Sequence, residues 1–410
     1  MKTFGRIFAL VVIVLALAGA IFWTALDKDQ RAAIANLPTN RDVLFWDNDQ
    51  RDALFRAMDR LPWLVGSNTI AAGENKRELP TGAPLDLPLD LAAFMAAQNS
   101  AAIVVVHDGA VVLERYGNDF GPQGRWTSFS VAKSLTSTLV GAAIADGFID
   151  SIDDPVTRYI TGLQGSAYEG VTIRHLLTMS SGVQWNEDYT DPASDVARFL
   201  DHDPEDGSNA TVSYLSKLPR AAEPGTRWNY NTGETNLIGL LVREATGKPL
   251  AQYLSEEIWA PYGMQQDATW LTSDTGEELG GCCIQAATRD MARFGMFVLD
   301  DGVIAGKRVV PEGWFAQATA VSFTTDRARR SYGFQWWPFG DGTFEAGGIF
   351  GQGIFIDPAR KLVIATNANW PMARDDDGLG AQRHAFFAAV QAAIDTRENA
   401  DSQGAREAIR

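Results

Sequence analysis

The stretch WTSFSVAKSLTSTLVGAAIADG (126–147) reads as a turn that runs into a helix: Val131, Leu135, Leu139 and Ala142 recur at helical spacing, and Gly147 supplies a stop. Ser130 then falls at the helix N-terminus, with Lys133 three residues on and on the same face. Unpaired backbone N–H groups and the positive end of the helix dipole gather at such a terminus and favour a developing oxyanion. A lysine desolvated beside a serine loses affinity for its proton and can take one from the hydroxyl. A Ser-x-x-Lys pair arises by chance on the order of once in a chain of this size. The ordinary alternative makes Ser130 an N-cap and Lys133 a solvated first-turn residue.

Outward from this helix, the chain divides by periodicity. Upstream, AAIVVVHDGAVVLERYG (101–117) gives two β-rich runs around Asp108-Gly109, a hairpin signal. Downstream, YGFQWWP, TFEAG, GQGIFIDP and KLVIATN alternate with turn residues, and a helix follows from about Gln382 to Thr396. Between them, residues 130–320 carry helical periodicity, as in TIRHLLTMS (172–180), ETNLIGLLVREATG (234–247) and ATRDMARFGMFVLDDG (287–302). The predicted class is α/β in the α+β sense: an antiparallel sheet built from N- and C-terminal strands, flanked by helices, with a large helical region inserted.

The 410 residues, 46% of them hydrophobic, suffice for a large core. A net charge of −16, with no basic cluster interleaved with aromatics, excludes nucleic acid as a partner. After Lys2 and Arg6 comes IFALVVIVLALAGAIFWTAL (7–26), twenty uncharged residues, enough to cross a bilayer. The preceding basic residues orient the N-terminus to the cytoplasm. The expected location is the bacterial inner membrane, single-pass, with the remainder facing the periplasm; the alternative is a secretory signal cleaved near LAGA, releasing the chain to the periplasm. The membrane is met through this helix only.

Residues 27–75 are charged and helical in pattern, with Leu44, Phe45, Leu54, Phe55, Met58 and Leu61 on one apolar face, as in an arm packed on the main domain. RELPTGAPLDLPLD (77–90) is too rich in proline for regular helix or inner strand, and Leu91 to Gln98 resumes as helix. The expected organisation is an anchor or signal at 1–26, the arm and linker at 27–94, a main domain at 95–396 and a polar tail at 397–410. Cys282 and Cys283 are adjacent and cannot staple distant segments; they are expected as two small buried residues, with no zinc-ligand spacing around them.

Two further segments strengthen the serine and lysine. PGTRWNYNTGETNLIG (224–239) is a turn entering a helix, with Tyr230 at the entrance, and a tyrosine beside a lysine can serve as phenolate base or proton relay. An ordinary half-buried tyrosine is the alternative. FEAGGIFGQGIFIDP (344–358) is a strand reaching a Gly-rich turn, where a substrate carbonyl can approach the backbone and a strand-end N–H can serve as oxyanion donor; a simple hairpin turn is the alternative.

In this order, the three motifs resemble those of the serine β-lactamase and penicillin-binding-protein superfamily, and within it the class C-related serine hydrolases. RHLLTMSSGVQWNEDY (174–189) matches a further landmark, and its EDY together with GIFGQ is similar to the 6-aminohexanoate-dimer hydrolase branch. The resemblance covers roughly 95–396. It implies Ser130 as acylated nucleophile, Lys133 as its proton acceptor and Tyr230 as the relay that protonates the leaving group. It implies an oxyanion hole from the backbone N–H groups of Ser130 and Ile349, and substrate contacts from Tyr189, Asn231 and Gly348. It implies no metal and no organic cofactor, and a small-molecule amide or ester as substrate.

Departures bear on subclass. Asn231-Thr232 follows Tyr230 where Ser-Asn is usual, Phe350 stands where relatives can show histidine, and Ala346-Gly347-Gly348 replaces a Lys-Thr-Gly or His-x-Gly triplet. Without that cation a substrate carboxylate loses its main charge partner, which argues against antibiotic or peptidoglycan turnover. The expected function is an exported serine hydrolase acting through an acyl-enzyme; the alternatives are β-lactamase or D-alanyl peptidase activity, or an inactive penicillin-binding-like receptor. A Ser-His-Asp hydrolase is disfavoured by four histidines without motif context, His175 among them in an apolar helical stretch, and by the lack of a Gly-x-Ser-x-Gly elbow.

Overall fold

The computed structural model describes residues 2–408 apart from 41, 205–207, 326, 328, 329 and 377. Its long helices are Lys2–Ala25 (α1), Val131–Ala145 (α2), Thr232–Thr246 (α3), Thr288–Leu299 (α4) and Leu379–Ala408 (α5). Asn231 caps α3 through its side chain, and Gly247 ends it in the left-handed conformation that a residue with a Cβ resists.

The β-branched run after Asn99 forms β1 (Ser100–His107), which returns through Asp108-Gly109, both at positive φ, as β2 (Ala110–Tyr116). The chain end supplies β3 (Trp337–Pro338), β4 (Phe344–Gly347), β5 (Gly353–Asp357) and β6 (Leu362–Ala368). They pair antiparallel throughout in the order β3-β4-β5-β6-β1-β2, so β6 against β1 joins the two ends of the domain inside one six-stranded sheet. Both faces are covered. Val104, Val106, Ile354, Ile356 and Val363 pack toward α2, α4 and the inserted helical region. Ile103, Val105, Phe355 and Ile364 pack on the other face against Phe386, Phe387, Val390 and Ile394 of α5. The expected sheet of N- and C-terminal strands with a helical insertion is the fold observed.

Three local expectations are corrected. The arm at 27–75 is two short helices, Lys28–Ala35 and Asn48–Leu54, each opened by an aspartate capping box, followed by a strand, Ser67–Ile70. That strand joins a second, four-stranded sheet through Ala268–Leu271, with Ile284–Ala286 and Trp126–Thr127 beyond. Gly66 and the β-branched Thr69 and Ile70 suit it to a strand, but its partner lies some 200 residues away and is invisible to local periodicity. Of the predicted apolar face, Leu54, Phe55, Met58 and Leu61 are buried, while Phe45 is exposed.

The C-terminal helix, expected to stop at Thr396, continues to Ala408, since no proline interrupts residues 397–408; residues 409 and 410 of the expected tail lie outside the described residues, as does Met1. Cys282 and Cys283, expected as two small buried residues, are joined as a vicinal disulfide, with Cys283 buried and Cys282 half-buried. Cys283 takes a left-handed backbone conformation (φ 72).

In α1, Arg6–Ala25 is a 20-residue apolar stretch with none of it buried against the rest of the molecule. Its length and composition are those of a membrane span, and a secretory signal shares them.

Candidate active site

Phe129 has φ 44, a conformation bulky residues rarely adopt, and this tight turn carries the chain from Trp126–Thr127 into α2. Phe55 from the arm braces it, its ring centroid 4.9 Å from that of Phe129 and 5.5 Å from that of Phe350. Ser130 stands at the turn's end on the wall of a pocket. Its side chain makes no capping bond, and its hydroxyl is hydrogen-bonded with that of Tyr230. Ser130 thus occupies the N-cap position of α2 without its side chain serving as the cap.

Nor is Lys133 solvated: it is 1% exposed. Its Nζ donates to the Gly281 carbonyl at 2.6 Å and to Thr232 Oγ1 at 3.1 Å, and lies 5.4 Å from the Tyr230 ring centroid. No carboxylate forms an ion pair with it among the described residues. Burial lowers its pKa to about 7; Glu187 opposes the shift and Arg327 adds to it. Near neutral pH a substantial fraction of this lysine is a free amine, competent to accept a proton.

Tyr230 sits in the loop before α3 and is 4% exposed. Burial first, then Glu187, push its hydroxyl well above the usual range, while the bond with Ser130 and the charge of Arg327 pull the other way. It is a phenol at neutral pH, which suits a proton relay and disfavours the phenolate base that the sequence left open.

The Gly-rich turn closes the opposite wall. A Cβ at Gly348 would lie 2.8 Å from the Ser128 carbonyl oxygen and 3.4 Å from the Ser130 nitrogen, so the strand end can abut the nucleophile turn only because residue 348 has no side chain. Gly348 N–H donates to Gln352 O at 2.9 Å, and the backbone N–H groups of Ser130 and Ile349 have no acceptor among the described residues.

Thus Ser130, Tyr189, Tyr230, Gly348 and Ile349 line one pocket; Lys133 does not line it but is buried next to Tyr230, its Nζ bonded to Thr232. Asn231 does not line it: its Oδ1 accepts from the Glu234 N–H at 3.0 Å, and its side chain is occupied with the start of α3. None of the histidines stands beside Ser130. His175 Nδ1 accepts the Thr172 N–H in a capping box, and His107, His202 and His384 bond Glu398, Ser213 and Arg330.

Two further residues complete the hydrogen-bonding around the lysine. Glu187 accepts from the Tyr189 hydroxyl at 3.0 Å and from the Thr232 N–H at 3.0 Å, and also bonds Thr232 Oγ1 and the Trp185 indole. Lys133, Thr232, Glu187 and Tyr189 thereby form one chain of hydrogen bonds under the pocket floor. The signal for Glu187 was present in the EDY segment, one acid and one tyrosine spaced two apart, but only the tyrosine was read from it.

The argument from the missing triplet cation is corrected. No cation stands at 346–348, yet Arg327, Arg330, Arg374 and Arg383 line the pocket from other segments. The basic run at 327–330 was the available sign, and its distance in sequence from the Gly-rich turn concealed it.

A mixed fold with this antiparallel sheet flanked by helices is that of the β-lactamases and penicillin-binding proteins. A solved Bacillus anthracis structure, provisionally named a 6-aminohexanoate-dimer hydrolase, superposes with TM-score 0.74 at 24% identity, over 85% of this chain and 95% of that one. The 6-aminohexanoate-dimer hydrolase of Paenarthrobacter ureafaciens is 34% identical over 290 residues, 66% of this chain and 72% of the relative. Esterase EstB of Burkholderia gladioli is 29% identical over 147 residues, 33% of this chain and 36% of the esterase. The Beta-lactamase family model matches residues 90–388. The chain belongs to the β-lactamase family, whose named relatives here are hydrolases.

Proposed function

We propose that this protein is an exported serine hydrolase that cleaves an amide or ester bond through an acyl-enzyme on Ser130. One observation carries the reading: a buried lysine with no ion pair among the described residues, its pKa lowered to about 7, stands three residues along α2 from a serine whose hydroxyl is bonded to a protonated tyrosine.

In the first half-reaction Ser130 Oγ attacks the substrate carbonyl carbon as its proton passes to the Lys133 amine. The carbonyl oxygen becomes an oxyanion that the backbone N–H groups of Ser130 and Ile349 stabilise. Collapse breaks the bond to the leaving nitrogen or oxygen, which takes its proton from the Tyr230 hydroxyl; Tyr230 is reprotonated from the lysinium, leaving an acyl-Ser130 ester. In the second half a water attacks that ester as its proton passes to Lys133; collapse breaks the bond to Ser130 Oγ, which takes that proton back from the lysinium, and the acid departs with Ser130 and the free amine restored. Tyr189 and Gly348 are the proposed substrate contacts; Asn231, expected as a third, acts instead from behind Tyr230 by holding the start of α3. The hydrolase unit is 95–396, and residues 7–26 anchor it in the bacterial inner membrane with the pocket on the periplasmic side, or direct its export as a cleaved signal.

The test compares the parent protein with Ser130→Ala on a nitrophenyl ester, 6-aminohexanoate dimer and a chromogenic cephalosporin. The expected result is a loss of at least about a thousandfold in kcat/KM on the preferred substrate, with the preference choosing among esterase, amidase and lactamase. Equal turnover by the two proteins on all three substrates would overturn the acyl-enzyme reading in favour of a binding protein.

A further inference from the structure

The arm does more than brace the nucleophile turn: it holds the end of α1. Arg31 donates from Nε and Nη2 to the Trp23 and Thr24 carbonyls at 3.0 and 3.2 Å, taking up two of the acceptors that a helix leaves open at its C-terminus. Leu26 is buried, and Arg60 pairs with Asp27 and Asp29 at 2.8 and 2.9 Å. The helix is thus fastened to the folded domain rather than strung from a loose linker. Beside that junction the chain makes a tight turn, closed by the Leu64 N–H donating to Leu61 O at 2.8 Å. Leu61 is fully buried and roots the turn, whereas Pro62, Trp63 and Leu64 are three consecutive exposed apolar residues in an uncharged stretch that runs from 61 to 73. Trp63 is 55% exposed, and its ring centroid lies 6.2 Å from that of Phe22 in α1.

We propose that Trp63 and Leu64 enter the periplasmic leaflet of the bilayer beside α1, giving the folded domain a membrane contact of its own. This rests on the reading of α1 as a retained anchor, and it extends the contact beyond the helix to which the sequence confined it. Depth carries the argument. At a rise of 1.5 Å per residue the 20 residues Arg6–Ala25 span about 30 Å, the thickness of a hydrocarbon core. Phe22 lies three residues, about 4.5 Å, inside the outer end of that span, so the ring against it is level with the boundary between acyl chains and head groups. Tryptophan is the side chain best suited to that boundary, being a large apolar body with one polar N–H. The contact is apolar, not electrostatic: the chain carries −16, Arg60 is committed to two aspartates, and Lys28 donates to the Asp119 carbonyl at 2.7 Å. Two points of attachment fix how the domain faces the membrane, and the pocket with it, because the same arm reaches the nucleophile turn through Phe55.

The experiment measures contact with lipid directly. The full-length protein is reconstituted into phosphatidylcholine vesicles with and without acyl chains brominated near the head group, which quench tryptophan emission on contact. Trp23 and Trp63 are the exposed tryptophans among the described residues, so the quenched emission has two sources to be separated. Trp63→Phe is expected to remove about half of it, Trp23→Phe about half, and the two together nearly all, at any salt concentration. Quenching that Trp23→Phe abolishes and Trp63→Phe leaves unchanged would overturn this proposal alone; a second copy of the chain covering Trp63 would give that result. A parent protein with no quenching at all would overturn the anchor reading and this one with it.

Discussion

At the scale of single residues, the chemistry turns on one amine. Removing Lys133 from water disfavours its ammonium, and among the described residues no carboxylate pairs with it; Glu187 acts from beyond Thr232 and recovers only part of the loss. On the proposed mechanism the active form is the free amine, whose fraction rises as pH passes upward through about 7. The kcat/KM profile is therefore expected to climb to a plateau with an acid limb near pH 7. Since the negative charge of Glu187 favours the ammonium, Glu187→Gln should move that limb to lower pH. A limb that stays in place or moves upward in this variant would dissociate it from Lys133.

Positions that one short motif names were legible before the structure: Ser130, Tyr189, Tyr230, Gly348 and Ile349 do share a pocket. Thr232, Glu187 and Arg327 were not, because what distinguishes them is a neighbour 40 to 100 residues away, and composition carries no trace of that distance.

At the scale of elements, α2 must be slim as well as apolar. Gly141 lies where α2 presses on Trp314: an added Cβ would sit 2.7 Å from the indole ring, and both residues are buried. Gly141→Ala gains about 1 kcal/mol of helix propensity, whereas forcing a methyl into a packed ring costs about 1–3 kcal/mol, so a net loss is expected. Urea unfolding should show a lower midpoint at an unchanged slope. A midpoint equal to or above the parent's would mean that Trp314 yields at little cost. Periodicity identified α2, α3 and the β1–β2 hairpin, since each is specified by residues within a few positions of one another. It misassigned Ser67–Ile70, whose strand state depends on pairing with Ala268–Leu271.

At the scale of the whole molecule, α1 stands apart from everything that shapes the pocket. Its apolar stretch is unburied, whereas the chain just after it is tied down: Leu26 is buried, and Asp27 bonds Arg60 at 2.8 Å. A protein beginning at Leu26 should therefore melt within about 2 °C of the full chain and move from the detergent-rich to the aqueous phase on partitioning. A large fall in melting temperature would show instead that α1 is part of the folded core. The arm after it is a different matter. Phe55 braces Phe129, and Arg51 reaches the β6 end through Asn369 at 3.0 Å, so residues 27–75 help to hold the nucleophile turn.

The order of the motifs, the periods of 2 and 3.6 and the long apolar stretch at the N-terminus were enough to establish the sheet built from both chain ends, the helical insertion and the superfamily. Each of these is a local pattern repeated along the chain, and local patterns survive in one dimension. The tertiary structure alone decided that Lys133 is dry, that Tyr230 is a phenol bonded with Ser130, and that cations enter the pocket from segments other than the Gly-rich strand. Desolvation and charge act through space: they depend on which distant residues exclude water and share a wall, and that arrangement exists only once the chain has folded.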